Sequence, residues 1–173
     1  KMYLNLFSFQ KAFKFSRLPA WMATQWNQML QVPVTPASWA EANRICQTLG
    51  PPTTDVRRPV TGRHLASITN QIEQNFIASL TNEKAAWLGG VRLPGGDWAW
   101  TDGRKWGSFT NPPWRPGQPD NYKGKEDVLL ISNWFRRGEW IDIDAPHTVK
   151  RPYVCQYLDL AKYKFMQIII FHP

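Results

Sequence analysis

The spacing of apolar residues changes near Leu80, and this change limits the folds that the chain can adopt. Before Leu80, two stretches carry apolar residues at helical spacing. After it, short aromatic runs alternate with glycine, proline and Asp-Gly turns. Helices followed by many short strands predict an α+β fold. At 173 residues, the chain is long enough for one such domain and too short for two comfortable ones.

Two capping patterns mark where the helices begin. Ser38 with Glu41 three residues later fits a capping box, and Thr35-Pro36 is an alternative start for the same helix. Asn70 with Glu73 repeats the pattern before the second helix. The first helix places apolar residues at Trp39, Ala42, Cys46 and Leu49, so Cys46 is expected to face the core. The second helix places them at Ile72, Phe76, Ile77 and Leu80.

Short apolar runs predict the strands, and one long polar stretch separates them. The runs lie at 85–91, 97–103, 127–133, 139–143 and 151–157. Between them, residues 112–125 include four prolines and two glycines. A loop of this length inside a compact domain is usually functional. Five of the ten tryptophans are predicted to lie in the core (Trp39, Trp87, Trp98, Trp100 and Trp140), whereas Trp106 and Trp134 have no predicted place.

Charge and hydropathy exclude two classes of partner. The net charge of +8 suggests nucleic acid, but half of it comes from residues 1–20, which contain Lys1, Lys11, Lys14 and Arg17 and no acid. The dense basic pairs further along, Arg57–Arg58 and Arg136–Arg137, are interpreted as solvated loop residues. Nucleic-acid binding is therefore not predicted. No apolar run approaches the ~20 residues that span a bilayer, so no membrane span is predicted.

The two cysteines leave two interpretations open. Cys46 and Cys155 could be buried free thiols, or they could form one disulfide that closes nearly the whole domain. Their spacing alone does not decide between these. The chain has no CxxC pair and no cysteine–histidine cluster, so a structural zinc site is not predicted.

The order of these elements resembles the C-type lectin domain family over residues 21–157. The resemblance rests on the helix motifs WAEANRIC and LASITNQIEQNFI, the strand motifs AAWLGGV and DWAWTDG, the loop motif WRPGQPDN, and the motifs KEDVLLI, GEWID and RPYVC. It implies an α+β C-type lectin fold, with two helices flanking short antiparallel sheets and a long functional loop. Residues 1–20 are then an N-terminal lead-in. Residues 158–173 are a tail whose MQIIIF segment could add a strand, bind a partner or promote aggregation.

The resemblance also implies one disulfide, because the family joins its first helix to its last strand and Cys46 and Cys155 hold those places. The family's second disulfide is expected to be absent, since Val128 stands where its first cysteine would be. A disulfide indicates an oxidising compartment, so the chain is expected to be secreted or to lie on the extracellular face of the cell surface.

The resemblance further implies a calcium site, since calcium takes about 6–8 oxygen ligands. The family's loop tripeptide appears as Gln118, Pro119 and Asp120, and a cis peptide bond is expected before Pro119. The predicted calcium ligands are Gln118, Asp120, Glu126 and Asp142. Ile141 replaces an asparagine ligand of the family, which weakens the expected site.

The same residues are predicted to bind sugar together with Tyr122. An amide first and an acid last in the tripeptide is the order of galactose-preferring members of the family. Tyr122 lies where such members often carry a ring that packs against the apolar face of galactose. The predicted function is calcium-dependent binding of glycans with terminal galactose or N-acetylgalactosamine. Because single sugars bind weakly, several copies of the domain are expected to act together.

Two alternatives compete with this function. A calcium-independent protein-interaction module is favoured by Ile141. A glycosidase would use Asp120 and Glu126, but hydrolysis needs one carboxyl group with a raised pKa, whereas carboxylates around calcium are held ionised. The sequence contains no GxSxG, HExxH or phosphate-binding glycine loop, and its histidines lie far apart. Catalysis is therefore not predicted.

Overall fold

The fold is drawn from a computed structural model that describes residues 30–31, 35–48, 63–81 and 84–157. The predictions for the lead-in at 1–20 and for the tail at 158–173 lie outside these residues. Within them, both helices precede the strands of the larger sheet, as the sequence predicted, but two short strands come earlier, at Leu30–Gln31 and Arg63–Leu65. Among the described residues, no helix is long and apolar enough to cross a membrane.

Both described helices start at the predicted capping residues. Helix α1 spans Trp39–Thr48, and the capping box holds its start: Ser38 N donates to the Glu41 carboxylate (3.0 Å) and Glu41 N donates to Ser38 Oγ (3.3 Å). The alternative start at Thr35-Pro36 is not used. Helix α2 spans Gln71–Leu80, and Asn70 Oδ1 accepts from the N–H of its third residue, Glu73, at 2.9 Å.

One residue of the second helix departs from prediction. Ile72 is exposed at 42% instead of contributing to the apolar face, while Phe76 and Ile77 are buried as expected. The reason is that Glu73 and Gln74 take the inward positions of the first turn. The Glu73 carboxylate accepts from Thr69 N (2.7 Å), and Gln74 accepts from Trp140 Nε1 (2.9 Å). Polar side chains with buried partners therefore displace an apolar one.

Two antiparallel sheets form the rest of the domain. The strands are β1 (Leu30–Gln31), β2 (Arg63–Leu65), β3 (Ala86–Arg92), β4 (Trp98–Trp100), β5 (Val128–Ser132), β6 (Glu139–Ile143) and β7 (Cys155–Tyr157). A small sheet has the order β1–β7–β2, and a four-stranded sheet has the order β4–β3–β5–β6. The run at 151–157 was predicted as one strand, but only its last three residues form one. Arg151 and Tyr153 make isolated bridges with Ala37 and Trp87 instead.

Two core clusters lie on the two sides of the four-stranded sheet. Alternation along β5 sends Leu129 and Ile131 into the cluster that contains Phe76 and Ile77 of α2, and sends Val128 and Leu130 into the cluster that contains Cys46 of α1. Trp87, Trp100 and Trp140 are buried as predicted, while Trp39 and Trp98 are half-buried. Trp106 packs partly buried against Trp140, and Trp134 is exposed.

The disulfide implied by the family resemblance is present. Cys46 of α1 and Cys155 of β7 are bonded, with 5.3 Å between their Cα atoms. Both residues are buried, and β7 pairs with β2 at Leu65. The covalent link therefore joins the first helix to the small sheet near the end of the described chain, and the free-thiol interpretation is excluded.

Candidate functional site

The long loop is attached to the edge strand β6 before it reaches the residues predicted to bind calcium. Trp140 N donates to Pro113 O (2.8 Å), and Arg115 N donates to Trp140 O (3.0 Å). The Trp114 ring meets the Trp140 ring edge-on, with 5.6 Å between the ring centroids. Backbone pairing and aromatic packing thus fix where the loop starts, so its tip lies beside the end of β6.

The tripeptide at the loop tip has the expected backbone form. The peptide bond between Gln118 and Pro119 is cis, as the sequence predicted. Gln118 N donates to Arg115 O (2.9 Å), and the Gln118 side-chain oxygen accepts from Asp142 N (3.1 Å). Gln118 therefore attaches the loop tip directly to the strand that carries the last predicted ligand.

Three carboxylates predicted as calcium ligands converge at this point. Asp120, Glu126 and Asp142 each offer an oxygen, and these oxygens all lie within 4.8 Å of one another. Asp142 is buried, Glu126 is half-buried and Asp120 is exposed, so the cluster opens towards solvent on one side. Like charges this close repel one another unless a cation or hydrogen-bond donors compensate them. The donor set of hard oxygen atoms fits a calcium ion.

Backbone N–H groups of the loop hold two of the carboxylates. Asp142 accepts from Asp120 N (3.1 Å) and from Asn121 N (2.8 Å). Glu126 accepts from Tyr122 N (2.8 Å), and its own N–H donates to Asn121 Oδ1 (3.2 Å). The carboxylates are thereby oriented before any ligand arrives, which lowers the entropic cost of binding one.

The environment of Glu126 raises the pKa of its carboxyl group. Partial burial is the largest cause, because it penalises the charged form. The N–H of Tyr122 acts in the opposite direction by stabilising the carboxylate. A hydrogen bond with the Asp120 side chain and the negative charges of Asp142 and Asp120 add to the increase. The neighbouring acids therefore add to an increase in the pKa of Glu126 that burial causes first.

Two further predicted residues take different positions around the cluster. Tyr122 is 61% exposed, and its ring lies 5.1 Å from the Lys123 ammonium nitrogen. Ile141 is buried in β6 and belongs to the apolar cluster of Val128 and Leu130. Its side chain therefore adds no oxygen ligand to the three carboxylates. Asp144 is exposed and lies one residue beyond the end of β6 at Ile143. The role of Tyr122 in sugar binding and the effect of Ile141 on metal binding stay predictions.

No sequence pattern indicates the role of one residue at the centre of this site. Arg92, at the end of β3, forms an ion pair with Asp142, and its Nε donates to Glu126 O at 3.0 Å. Its guanidinium carbon lies 4.8 Å from the centroid of the Trp98 ring. Its place as the last residue of the AAWLGGVR run is visible in the sequence. The pairing of β3, β5 and β6 that brings it to Asp142 is not.

The sequence matches the Lectin C-type domain over residues 35–157. The chain belongs to this family. Among curated proteins, this C-type lectin domain is 30% identical to a lectin of Pleurodeles waltl over 132 residues, which cover 73% of the chain and 67% of that protein. It is 32% identical to the galactose-specific lectin nattectin of Thalassophryne nattereri over 123 residues, which cover 68% of the chain and 65% of nattectin.

A solved structure supports the assignment of the fold. The C-type lectin CEL-I from Cucumaria echinata superposes with a TM-score of 0.62 at 24% identity, covering 75% of this chain and 89% of CEL-I. The domain therefore has the C-type lectin fold. It spans between 37% and 67% of the length of four curated relatives. Membership of this family indicates no enzyme class.

Proposed function

We propose that this C-type lectin domain binds glycans ending in galactose or N-acetylgalactosamine, in a calcium-dependent manner and without catalysing a reaction. The observation that carries the proposal is the convergence of the Asp120, Glu126 and Asp142 carboxylates beside Gln118, within 4.8 Å of one another. A galactose-specific relative, nattectin, is 32% identical to the chain and supports the sugar class.

The calcium ion would be held by four side chains, those of Gln118, Asp120, Glu126 and Asp142. When bound, it would coordinate two neighbouring hydroxyl groups of the sugar. The order of the tripeptide then selects the sugar. Gln118 presents an amide and Asp120 a carboxylate, so a donor stands first and an acceptor last. The side-chain oxygen of Gln118 already accepts from Asp142 N, which leaves its amide nitrogen as the group to donate to a hydroxyl.

Tyr122 would supply the apolar contact. Tyr122 is 61% exposed, and its backbone N–H donates to the Glu126 carboxylate, so the residue lies beside the acid cluster and is open to solvent. Galactose has one apolar face, and an aromatic ring can pack against it. The proposed domain spans residues 21–157 and lies in the secreted or extracellular compartment that its disulfide favours. Several copies would act together on a glycan surface.

Retention on immobilised galactose tests this function. We expect the protein to be retained in calcium and released by a chelator, and we expect Asp120→Asn to abolish retention. Asp144→Asn is the matched control, because it removes an exposed acid beside the same strand and outside the cluster. Failure to bind galactose, or retention that a chelator leaves unchanged, would contradict the proposal.

A calcium-independent protein-interaction module is the second candidate. Two observations favour it: Ile141 provides no oxygen, and the guanidinium of Arg92 already neutralises Asp142. This function predicts no heat on titration with calcium and no change in melting temperature when the metal is added. The same titration would therefore separate the two candidates.

A further inference from the structure

The turn between β5 and β6, residues 133–138, exposes two consecutive aromatic side chains. Trp134 is 51% exposed and Phe135 is 70% exposed, whereas Trp140, two residues beyond the turn, is 1% exposed. The calcium site described above uses neither side chain. Adjacent exposed aromatic side chains of this size mark interaction sites more often than isolated apolar residues do.

The turn is fixed to the body of the domain. Asn133 accepts from Gly138 N (2.7 Å) across the turn, and its amide donates to Thr81 Oγ1 (3.1 Å) at the end of α2. Gln74 of α2 donates to Gly138 O at 2.6 Å. Because the backbone of the turn is tied at both ends, little backbone entropy is lost when a ligand packs against its side chains.

Guanidinium groups from two other segments lie over these rings. The guanidinium carbon of Arg115 is 3.9 Å from the centroid of Phe135, and that of Arg151 is 5.5 Å from the centroid of Trp134. Arg136 adds an exposed charge within the turn itself. We refer to Arg115, Trp134, Phe135, Arg136 and Arg151 as the aromatic–arginine patch.

The acid nearest the patch in the sequence does not face solvent. Glu139 follows the turn directly, but it is 6% exposed, and its carboxylate accepts from Arg136 N at 3.2 Å. Residues 131–138 contain no acidic side chain. The patch therefore presents fixed positive charge beside aromatic faces.

We propose that the aromatic–arginine patch binds acidic saccharides, meaning sugars that carry sulfate or carboxylate groups. A guanidinium group offers a planar fork of donors that matches such anions, and stacking on a ring fixes the orientation of the fork. An exposed indole or phenyl face takes the apolar face of a sugar ring. The patch supplies both kinds of contact from one anchored turn.

The same features disfavour an anionic lipid surface as the ligand. Insertion of Trp134 and Phe135 into a bilayer would carry the guanidinium groups of Arg115 and Arg151 towards the hydrocarbon, because these lie on the ring faces. Burying charge in hydrocarbon is costly. A hydrated sugar chain leaves those charges at the water interface, where the sulfate or carboxylate meets them.

The patch is separate from the acid cluster. Antiparallel pairing places Ser132 opposite Glu139 at the turn end of the hairpin and Leu129 opposite Asp142 further along. Glu139 and Asp142 lie three positions apart in β6, a distance of about 10 Å along a strand. This inference therefore does not rest on the proposed calcium site, and its test is performed in a chelator.

Calorimetric titration with a heparin-derived oligosaccharide, in a chelator, tests the proposal. We expect binding that weakens with added salt. Arg115→Gln and the double variant Trp134→Ala/Phe135→Ala should each weaken it by about tenfold or more, the effect of losing one charge-assisted or stacking contact. Lys105→Gln is the matched control, since it removes one exposed charge outside the patch. The melting temperature of each variant shows whether it remains folded.

Three results would overturn the proposal. The desulfated oligosaccharide could bind as well as the sulfated one, which would remove the role of the anion. Lys105→Gln could weaken binding as much as Arg115→Gln, which would reduce the effect to net charge. Vesicles containing phosphatidylserine could bind through Trp134 and Phe135 while the oligosaccharide does not, which would indicate a membrane surface. Galactose retention in calcium is unaffected by any of these outcomes, so the two proposals fail separately.

Discussion

The guanidinium of Arg92 pairs with the carboxylate of Asp142 inside the acid cluster. The side chain of Asp142 is 0% exposed and that of Arg92 is 12% exposed. The same guanidinium group donates to Glu126 O. One cation from β3 thus ties the loop to β6 and offsets part of the negative charge of the three acids. Removing one partner of a buried ion pair leaves the other uncompensated, which is strongly destabilising.

Replacing Arg92 should therefore make the domain depend on calcium for stability. We expect Arg92→Met to lower the melting temperature in a chelator, because Asp142 stays buried without its cation. Added calcium should then raise the melting temperature of Arg92→Met by more than it raises that of the native protein, since the metal takes over the neutralisation. Thermal unfolding with and without calcium measures both effects.

Lys125→Met is the control for this prediction. Lys125 is exposed on the loop that carries Asp120 and Glu126. Its replacement removes one positive charge, as Arg92→Met does, but leaves the ion pair of Asp142 in place. The control should melt like the native protein in a chelator. If Arg92→Met also melts like the native protein there, the ion pair does not hold the loop.

Exchanging the ends of the loop tripeptide should change the sugar preference. Gln118→Glu together with Asp120→Asn reverses the order of donor and acceptor, which suits mannose-type hydroxyl groups in place of those of galactose. We expect the ratio of galactose affinity to mannose affinity to fall by about tenfold or more, since each mismatched hydroxyl leaves a polar group unpaired. Competition by free sugars for an immobilised glycan measures the ratio.

Each single substitution serves as the control for this exchange. Gln118→Glu alone gives two acids around the sugar, and Asp120→Asn alone gives two amides, so neither should reproduce the new preference. A double variant that binds neither sugar while remaining folded would show that the tripeptide acts only on the metal. A double variant that keeps its galactose preference would contradict the assignment of sugar class.

The helices and strands could be predicted because short-range sequence patterns specify them. Ser38 and Asn70 mark helix starts through hydrogen bonds that span only a few residues, and apolar spacing sets the strands apart from the helices. Ile72 was misassigned because apolar spacing does not reveal that Glu73 has a buried partner far along the chain, at Arg104. Local patterns describe local structure and omit such tertiary partners.

The candidate site divides in the same way. The family resemblance gave Gln118, Asp120, Glu126 and Asp142 as a set, and the structure brings three carboxylates of that set together. Arg92 could not be found by motif or spacing, because its contact with Asp142 depends on the pairing of β3 with β5 and of β5 with β6. Strand order is a property of the whole chain.

The capping box of α1 should make stability depend on pH. The pKa of Glu41 is lowered, first by the N–H of Ser38, then by the Ser38 hydroxyl, and also by the charge of Lys150. A group whose folded pKa is depressed contributes stability above its unfolded pKa of about 4.3, and that contribution is lost as the pH falls through the folded pKa. The advantage of the native protein over Glu41→Gln should shrink below about pH 4.

Thermal unfolding of the native protein and of Glu41→Gln, above and below about pH 4, measures how the difference in their stability decreases. Lys150→Gln separates the cap from the ion pair, because Lys150 and Glu41 are both largely exposed and lie 3.8 Å apart. Exposed pairs contribute little, so Lys150→Gln should leave most of the pH dependence in place. A constant difference between the native protein and Glu41→Gln at every pH would contradict a role for the carboxylate in the cap.

The buried pair of Arg104 and Glu73 should be sensitive to the loss of either partner. Their side chains are 8% and 3% exposed, with 2.6 Å between Arg104 Nη2 and Glu73 Oε1. Arg104 also donates to Ser67 Oγ at 3.0 Å, so the pair fixes the 101–107 segment against the start of α2. We expect Arg104→Met to lower the free energy of unfolding by about 3–5 kcal/mol, because Glu73 is left buried and unpaired.

The double variant Arg104→Met/Glu73→Leu tests the cause of that loss. If the cost comes from an uncompensated buried charge, removing both charges should recover much of the stability, since apolar side chains of similar volume can replace such a pair. Urea unfolding of the native protein, both single variants and the double variant gives the coupling energy of the pair. The double variant could instead lose as much free energy of unfolding as the two single variants combined. That result would attribute the loss to packing and to the hydrogen bonds of Ser67 and Thr69.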